Sequence, residues 1–373
     1  MAETSVTVPS TPDDKRPAVS RLYALDGLRF LAALAVLAFH FTARSNNAWG
    51  QPVETVFPQL SFITGLGAFG VDIFFVISGF VILMTAWNAG VPKFAASRIS
   101  RLFPAYWACV ALSSLLLLVI WRTGGAIVDG GSERSATDAA TNFTMVQRAF
   151  GIGDVDGVYW TLWAELRFYI LIGIFVAIGI TTRRVLAFCF IWPILSGIAL
   201  TTDSALLSEV LVAEWAPLFS AGMALFIVKR DPRNLMAWLV VAFTTLLAAG
   251  YSGQVTLDRI VNGLTNRDFP PYVGWVIVVG SIGLVALLTL TRMSQLGGKK
   301  FLVLGALTYP LYLLHEYWGW WIISLLEDKL PAFAVLALAT GFCIALAWAV
   351  YYFVERNTVS RMRRRLEKDL VKL

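Results

Sequence analysis

Two side chains with phosphate-binding and acid–base chemistry share one face of the first apolar segment. Arg29 and His40 lie eleven residues apart in LDGLRFLAALAVLAFHF, residues 25–41. At about 100° per residue, eleven steps return a helix to nearly the same direction after a rise of about 16 Å. Ionisable groups at membrane depth are costly and usually functional. The pattern predicts a guanidinium suited to phosphate at one depth and an imidazole suited to proton transfer at another.

Three more titratable side chains interrupt apolar segments: Asp72, Glu165 and His315, the last being the chain's other histidine. The topology argued below brings them to roughly the depth of His40. A buried carboxylate can orient a nearby imidazole and stabilise its protonated form. We therefore predict that His40 is a general base oriented by Glu165 or Asp72. The structural alternative is that each polar residue only bonds a neighbouring helix.

A pair of arginines precedes the third apolar segment. Arg98 and Arg101 lie in KFAASRISRLFPAYW, and residues three apart share a helix face. Paired guanidiniums suit phosphate groups, so we predict that Arg98, Arg101 and Arg29 bind the phosphates of a nucleotide coenzyme. The chain has no GxxxxGK[ST] or GxGxxG motif, so side chains would have to hold that coenzyme. Anchoring to anionic lipid is the alternative.

The composition requires elements that position these residues inside a membrane. The 373 residues are 58% hydrophobic and 14% charged, with a mean hydropathy of +0.70, which is typical of polytopic helical membrane proteins. The net charge is +6. The basic residues lie in short loops and form no basic, aromatic-rich patch, so we expect no nucleic-acid partner. Cys109, Cys189 and Cys343 lack CxxC spacing and nearby histidines. We predict neither a disulfide nor a metal site.

Hydropathy at membrane length predicts an all-α protein with about ten transmembrane helices. Basic residues test this count, because cytoplasmic loops are enriched in Lys and Arg. Summed over alternate connections and the tails, 21 basic residues lie on one side and 7 on the other. Both termini are therefore predicted to be cytoplasmic, in a bacterial plasma membrane. The predicted spans are 23–43, 65–87, 102–121, 160–181, 184–202, 209–228, 234–251, 271–291, 301–326 and 331–354.

Only short segments flank the predicted membrane domain. We expect a disordered cytoplasmic tail at 1–20, a transmembrane domain at 21–356 and a basic cytoplasmic tail at 357–373. The longest connection, about 122–158, is predicted to lie outside, with a short amphipathic helix near 142–150. Long ordered loops are often functional, and this one could cap an outward opening.

Six motifs occur in one order from about residue 22 to residue 356, and together they resemble the acyltransferase-3 family of integral membrane O-acyltransferases. They are Leu25-Asp26-Gly27-Leu28-Arg29 with His40, the GVDIFFVISGF segment at 70–80, Arg98-x-x-Arg101-Leu102-Phe103-Pro104, Trp160-x-Leu-Trp163-x-Glu165-x-x-Phe168-Tyr169, Tyr309-Pro310-x-Tyr312-x-x-His315, and Phe353-Val354-Glu355-Arg356.

The resemblance implies ten helices, an acyl-CoA donor that approaches from the cytoplasm, and transfer to a hydroxyl of a carbohydrate or other small molecule. It also implies that His40 is catalytic and that Arg29, Arg98 and Arg101 matter for activity. Many relatives carry an extracytoplasmic esterase-like domain, which is not visible here. Members modify envelope polysaccharides and glycolipids or acylate secondary metabolites such as macrolides.

The predicted function is therefore acyl-CoA-dependent O-acylation, with acetyl-CoA or another short acyl-CoA as donor, a hydroxyl-bearing acceptor and no metal. We assign substrate binding to His315, Tyr312 and Trp160, although Trp and Tyr also gather at membrane interfaces. A proton-coupled transporter, with His40 and the carboxylates as a relay, is the alternative function. A structural or sensory membrane protein is a further alternative. The sequence leaves the acceptor, the acyl length and the oligomeric state open.

Overall fold

A computed structural model describes residues 22–122, 135–202 and 204–372, and all regular secondary structure in this part of the chain is helical, without a β-strand. The predicted all-α class is confirmed. The main helices are α1 (Tyr23–Thr42), α2 (Gly70–Ala86), α3 (Val91–Arg122), α4 (Trp160–Ile178), α5 (Thr182–Thr201), α6 (Ala216–Arg230), α7 (Leu235–Leu247), α8 (Pro271–Leu290), α9 (Lys300–Leu326), α10 (Ala332–Val350) and α11 (Arg356–Leu370). Shorter helical segments are Val53–Val56, Leu60–Gly65, Leu66–Phe69, Ala136–Asn142, Gln147–Phe150, Gly157–Tyr159, Ala205–Val210, Ala248–Ser252, Gly253–Val255, Thr256–Asn262, Arg292–Gln295 and Tyr351–Glu355.

Each of the ten predicted spans overlaps one of the helices α1 to α10. Within the described ranges, 8 helical segments are long and apolar enough to cross a membrane. Helix α6 falls outside this group because it has 15 residues, and α9 because tyrosine, tryptophan, histidine and glutamate lower its hydropathy. Both are nevertheless largely buried, so neighbouring helices, and not lipid, surround most of their length. The protein is an integral membrane protein.

Helix α6 forms the centre of one half of the helical bundle and packs against α2, α5 and α7. Its residues from Ala216 to Val228 are all buried. The crossing with α2 depends on two glycines, because a Cβ on Gly222 would overlap the carbonyl oxygen of Val76, and one on Gly79 that of Phe219. Small residues allow such close backbone approach, which is a main source of helix association in membranes.

The Gly222→Ala substitution should therefore destabilise the bundle by about 3 kcal/mol, at the upper end of the cost of overpacking. Gly283→Ala in α8 is the matched control, since a Cβ there meets no atom within 4 Å and alanine favours a helix. Thermal unfolding in detergent should show a lower Tm for the Gly222 variant and an unchanged or higher Tm for the Gly283 variant. Equal Tm values would refute the close crossing.

The predicted sixth and seventh spans differ from the observed helices. The chain turns at Val212, where φ is 51°, so α6 begins at Ala216 and not at 209. Helix α7 continues past the predicted end at 251 through wide π-helical turns to Asn262. Irregular backbone at membrane depth is tolerated where it is buried in protein or lines a cavity, and π turns are frequent at functional sites. Both irregular segments contribute residues to a cavity described below.

Helix α3 begins at Val91, well before the predicted start at 102, so Arg98 and Arg101 lie within a helix. The predicted amphipathic helix near 142–150 is divided into Ala136–Asn142 and Gln147–Phe150. The predicted tail at 1–20 lies outside the described residues, as does 123–134 of the long connection. The predicted basic tail at 357–373 is largely the helix α11.

Candidate active site

The imidazole of His40 lies near the end of α1, buried between α1 and α9. Its Nδ1 atom is 2.8 Å from the carbonyl oxygen of Val36 and 3.1 Å from Nε2 of His315. A carbonyl only accepts hydrogen bonds, so Nδ1 of His40 carries the proton. The Nε2 atom of neutral His40 then holds the free lone pair. This is the tautomer that a general base requires.

His315 supports this tautomer from behind the His40 ring. Its Nδ1 atom donates to the carbonyl oxygen of Tyr312 at 2.9 Å. The carbonyl oxygen of Leu311 lies 3.2 Å from the same Nδ1 atom. Its Nε2 atom is therefore free to accept the Nδ1 proton of His40. His315 is fully buried and lines neither of the two cavities described next. Sequence analysis predicted that it binds substrate, whereas the structure places it where it orients His40.

A carboxylate does lie beside the free nitrogen of His40, and it belongs to Glu316. Oε2 of Glu316 is 3.7 Å from Nε2 of His40, and Oε1 accepts a hydrogen bond from Arg44 at 2.5 Å. Glu316 is fully buried. Trp320 completes this group: its indole nitrogen donates to the carbonyl oxygen of His40 at 2.9 Å, and its ring lies under the Arg44 guanidinium. The negative charge is thus placed to stabilise a protonated His40.

The loop before α4 closes the site over Glu316. A Cβ on Gly157 would lie 2.5 Å from Oε1 of Glu316, so only glycine permits this approach. Asp156, the preceding residue, is also fully buried. Burial, and then the neighbouring Glu316 carboxylate, raise the pKa of Asp156 well above its usual range. A neutral Asp156 avoids a second buried negative charge beside Glu316.

A cavity of about 210 Å³ opens in front of His40. His40, Arg44 and Glu316 line one part of it, and the aromatic rings of Trp160 and Trp215 line another. The irregular segments around α6 and α7 contribute Glu214, Val255, Arg259, Ile260 and Leu264. The predicted substrate-binding residues Trp160 and Tyr312 both line this cavity.

The predicted contact of His40 with Glu165 or Asp72 is not formed among the described residues. Asp72 is fully buried and accepts a hydrogen bond from Thr256 at 2.9 Å. It thereby links α2 to the π-helical extension of α7, which is the structural alternative for such a residue. Glu165 accepts hydrogen bonds from Ser78 at 2.9 Å and Tyr169 at 2.6 Å. Depth along a helix predicted a common layer, but the helices turn these carboxylates away from His40.

Glu165 instead lines a second cavity, of about 270 Å³, together with Arg29, Arg98 and Arg101. The structure thus brings together the three arginines for which phosphate binding is predicted. The guanidinium of Arg101 lies 3.5 Å from Glu355, in the turn that joins α10 to α11. The second cavity meets the His40 cavity at Val71 and Tyr312, which line both.

A third cavity, of about 630 Å³, lies at the end of the bundle that is predicted to face the cytoplasm. Arg29 and Arg98 line both the third and the second cavity. Asp26 lies in the first turn of α1 and also lines the third cavity. The three cavities are therefore adjacent in series, from the arginines to His40, and neighbouring cavities share lining residues.

The chain matches a family model over most of its length. The model of the acyltransferase-3 family, described as an acyltransferase domain, matches residues 22–354. The chain belongs to the acyltransferase-3 family. The predicted family is confirmed, and the matched range contains all three cavities except Arg363, which lies beyond it in α11.

Three relatives share parts of this family domain. Acyltransferase MdmB from Streptomyces mycarofaciens is 35% identical over 121 residues, 31% of this chain and 30% of that protein. Nodulation protein 10 from Rhizobium leguminosarum bv. viciae is 33% identical over 167 residues, 39% of this chain and 41% of that protein. Peptidoglycan O-acetyltransferase OatA from Listeria monocytogenes is 34% identical over 102 residues, 25% of this chain and 14% of that protein. The chain spans less than half the length of each relative, and no solved structure matches it significantly.

Three residues of this acyltransferase-3 site, Glu316, Arg44 and Gly157, were assigned no role from the sequence. Two signals were present. Arg44 follows His40 by four residues, a spacing that places side chains near one another, and Glu316 directly follows the second histidine. Gly157 approaches Glu316 from a loop, and loop residues have no helical periodicity from which this contact could be predicted.

Proposed function

We propose that the protein is a membrane O-acyltransferase that moves an acetyl or other short acyl group from acyl-CoA to a hydroxyl group. The observation that carries this proposal is that His40 lines a cavity which shares Val71 and Tyr312 with an arginine-lined cavity. The His40 cavity contains the base. The arginines that line the second and third cavities supply cations on the side that is predicted to face the cytoplasm.

In this mechanism, the arginine-lined cavities hold the donor. Arg29, Arg98 and Arg101 bind phosphates of the coenzyme, because guanidiniums match phosphate geometry. The pantetheine arm extends through the second cavity and brings the thioester to the junction at Tyr312. The rise of about 16 Å from Arg29 to His40 along α1 is within reach of an extended arm.

The acceptor binds in the His40 cavity. Nε2 of His40 takes the proton of the acceptor hydroxyl as its oxygen attacks the thioester carbon, and Glu316 stabilises the resulting imidazolium. The C–S bond then breaks, the acyl group stays on the acceptor oxygen, and the coenzyme thiolate receives the proton. The hydroxyl of Tyr312 accepts a hydrogen bond from Thr161 at 3.0 Å and donates to the carbonyl oxygen of Val158 at 3.5 Å. In the proposed reaction it turns from this long contact and donates to the thioester oxygen.

For the acceptor class, the proposal is a carbohydrate, a glycolipid or a macrolide-like metabolite in a bacterial plasma membrane. The flat rings of Trp160 and Trp215 suit the apolar face of a sugar or macrolide ring. Charged groups beside them, Arg44 and Glu214, suit its hydroxyls. One of the three relatives is named an acyltransferase and another an O-acetyltransferase, and the transporter alternative gains no support from any of the three.

Purified protein in detergent should release free coenzyme A from acetyl-CoA only when an acceptor is present. A panel of oligosaccharides, glycolipids and macrolides, followed by thiol titration and mass spectrometry, should identify an acceptor heavier by one acetyl group. Coenzyme A alone should raise the Tm, and Arg98→Ala should abolish that rise. Proton-driven uptake into vesicles without any acylated product would instead identify a transporter.

A further inference from the structure

Helix α11 lies beyond the family match, yet it lines the third cavity. It follows the Tyr351–Glu355 turn and packs against α3. Val359, Met362 and Leu366 recur at helical spacing and are half-buried, whereas the arginines around them are exposed. The ion pair between Glu355 and Arg101 holds the start of the helix. Helix α11 is therefore packed against the bundle along one face.

Arg363 is the residue of α11 that reaches the cavity. The cavity is lined from three different helices by Arg29, Lys93, Arg98 and Arg363. Among the described lining residues, Asp26 is the one carboxylate. The Nε atom of Arg363 is 2.8 Å from Glu367, and a guanidinium has further N–H donors for a second partner. Arg361, Arg364 and Arg365 of the same helix do not line the cavity.

We infer that Arg363, together with Lys93, completes a binding site for the phosphates at the nucleotide end of the acyl-CoA donor. This inference rests on the proposed function and extends the phosphate contacts beyond Arg29, Arg98 and Arg101. The third cavity is the largest of the three, it has an excess of positive charge, and its shared arginines lead into the cavity for the pantetheine arm. Asn88, Thr85 and Ser97 add uncharged hydrogen-bonding groups for the nucleoside.

An anionic lipid headgroup carries the same phosphate chemistry. A lipid site and a nucleotide site differ, however, in how the effect of a substitution on activity depends on the donor. A nucleotide site acts only on donors that carry the nucleotide. A lipid anchor affects all donors equally and only in membranes that contain anionic lipid. Donors of different length therefore separate the two sources of phosphate.

The test compares acetyl-CoA, acetyl-dephospho-CoA and the truncated thioester S-acetyl-N-acetylcysteamine as donors in uncharged detergent. Arg363→Ala should lower kcat/KM for acetyl-CoA about fivefold, mainly through KM, as expected for a partly exposed ion pair. It should lower kcat/KM for acetyl-dephospho-CoA by the same factor or less, and leave the truncated donor unaffected. Arg365→Ala, on another side of α11, is the matched control and should change none of the three values.

An equal loss with acetyl-CoA and with the truncated donor would overturn the inference. So would an Arg363→Ala variant that behaves like Arg365→Ala. A loss that appears only in nanodiscs containing phosphatidylglycerol, and with every donor, would identify a lipid anchor and also overturn it. If the unmodified protein acetylates no acceptor with either thioester, the proposed function itself has failed, and this outcome is distinguishable from the others.

Discussion

Replacing His40 with glutamine should lower kcat for acyl transfer by about a thousandfold, within the range for loss of a general base. Glutamine keeps a donor and an acceptor at similar reach, but it cannot take a proton from a hydroxyl. Because Nδ1 of His40 contacts Val36 and His315, the wild-type ring has its lone pair on Nε2 and lines the cavity in the tautomer of a base. The measurement is the steady-state rate of coenzyme A release with saturating donor and acceptor.

Two controls separate this chemical effect from misfolding. The Tm of the His40→Gln variant in detergent should stay close to that of the wild type. The rise in Tm caused by coenzyme A should also be retained, because the predicted phosphate ligands lie in other cavities. A folded variant that turns over at the normal rate would exclude His40 as the base.

The second large effect is expected for Glu316. Glu316→Gln keeps the size of the side chain but removes the charge 3.7 Å from Nε2 of His40. It also leaves the partly buried Arg44 without its carboxylate, and an unpaired cation nearby disfavours an imidazolium. We expect kcat to fall about a hundredfold, the cost of losing a buried charge interaction of about 3 kcal/mol.

The pH profile distinguishes this electrostatic role from a packing role. His40 is active as a base when neutral, and Glu316 favours its protonated form. Without that carboxylate, the acid limb of the kcat profile should move to lower pH. A variant that only loosens packing would lower kcat at every pH without moving the limb.

Glu165→Gln and Asp72→Asn are the matched comparisons, because sequence reasoning assigned the orienting role to these residues. Glu165 bonds Ser78 and Tyr169, and Asp72 bonds Thr256. Neither substitution should move the acid limb. If Glu165→Gln moves it and Glu316→Gln does not, the contact seen between Glu316 and His40 does not operate in catalysis.

Polar and aromatic side chains that face inward also explain why the hydropathy of α9 is lower than that of the neighbouring helices. His315, Glu316 and several aromatic residues occupy its buried face. Burying an ion pair costs desolvation, and Glu316 offsets part of that cost through its bond to Arg44 and its proximity to His40. The polar content of α9 therefore reflects the site and not a boundary of the membrane domain.

Much about this protein follows from the sequence alone, because the signals are local. Length and hydropathy of each segment predict the helices, since a span must satisfy its own backbone in lipid. Helical periodicity places Arg29 and His40 on one face, and it pairs Arg98 with Arg101. The structure brings those three arginines to one cavity, as the sequence predicts.

The partner of His40 was decided only by the tertiary structure. Hydropathy and loop charge give the depth of a residue, and by depth Asp72, Glu165 and Glu316 are nearly equivalent. Which one faces His40 depends on the rotation and crossing of the helices. These are set by close contacts such as Gly222 on Val76 and by a loop that brings Gly157 against Glu316. Such contacts join residues far apart in the chain, and no periodic pattern within one segment encodes them.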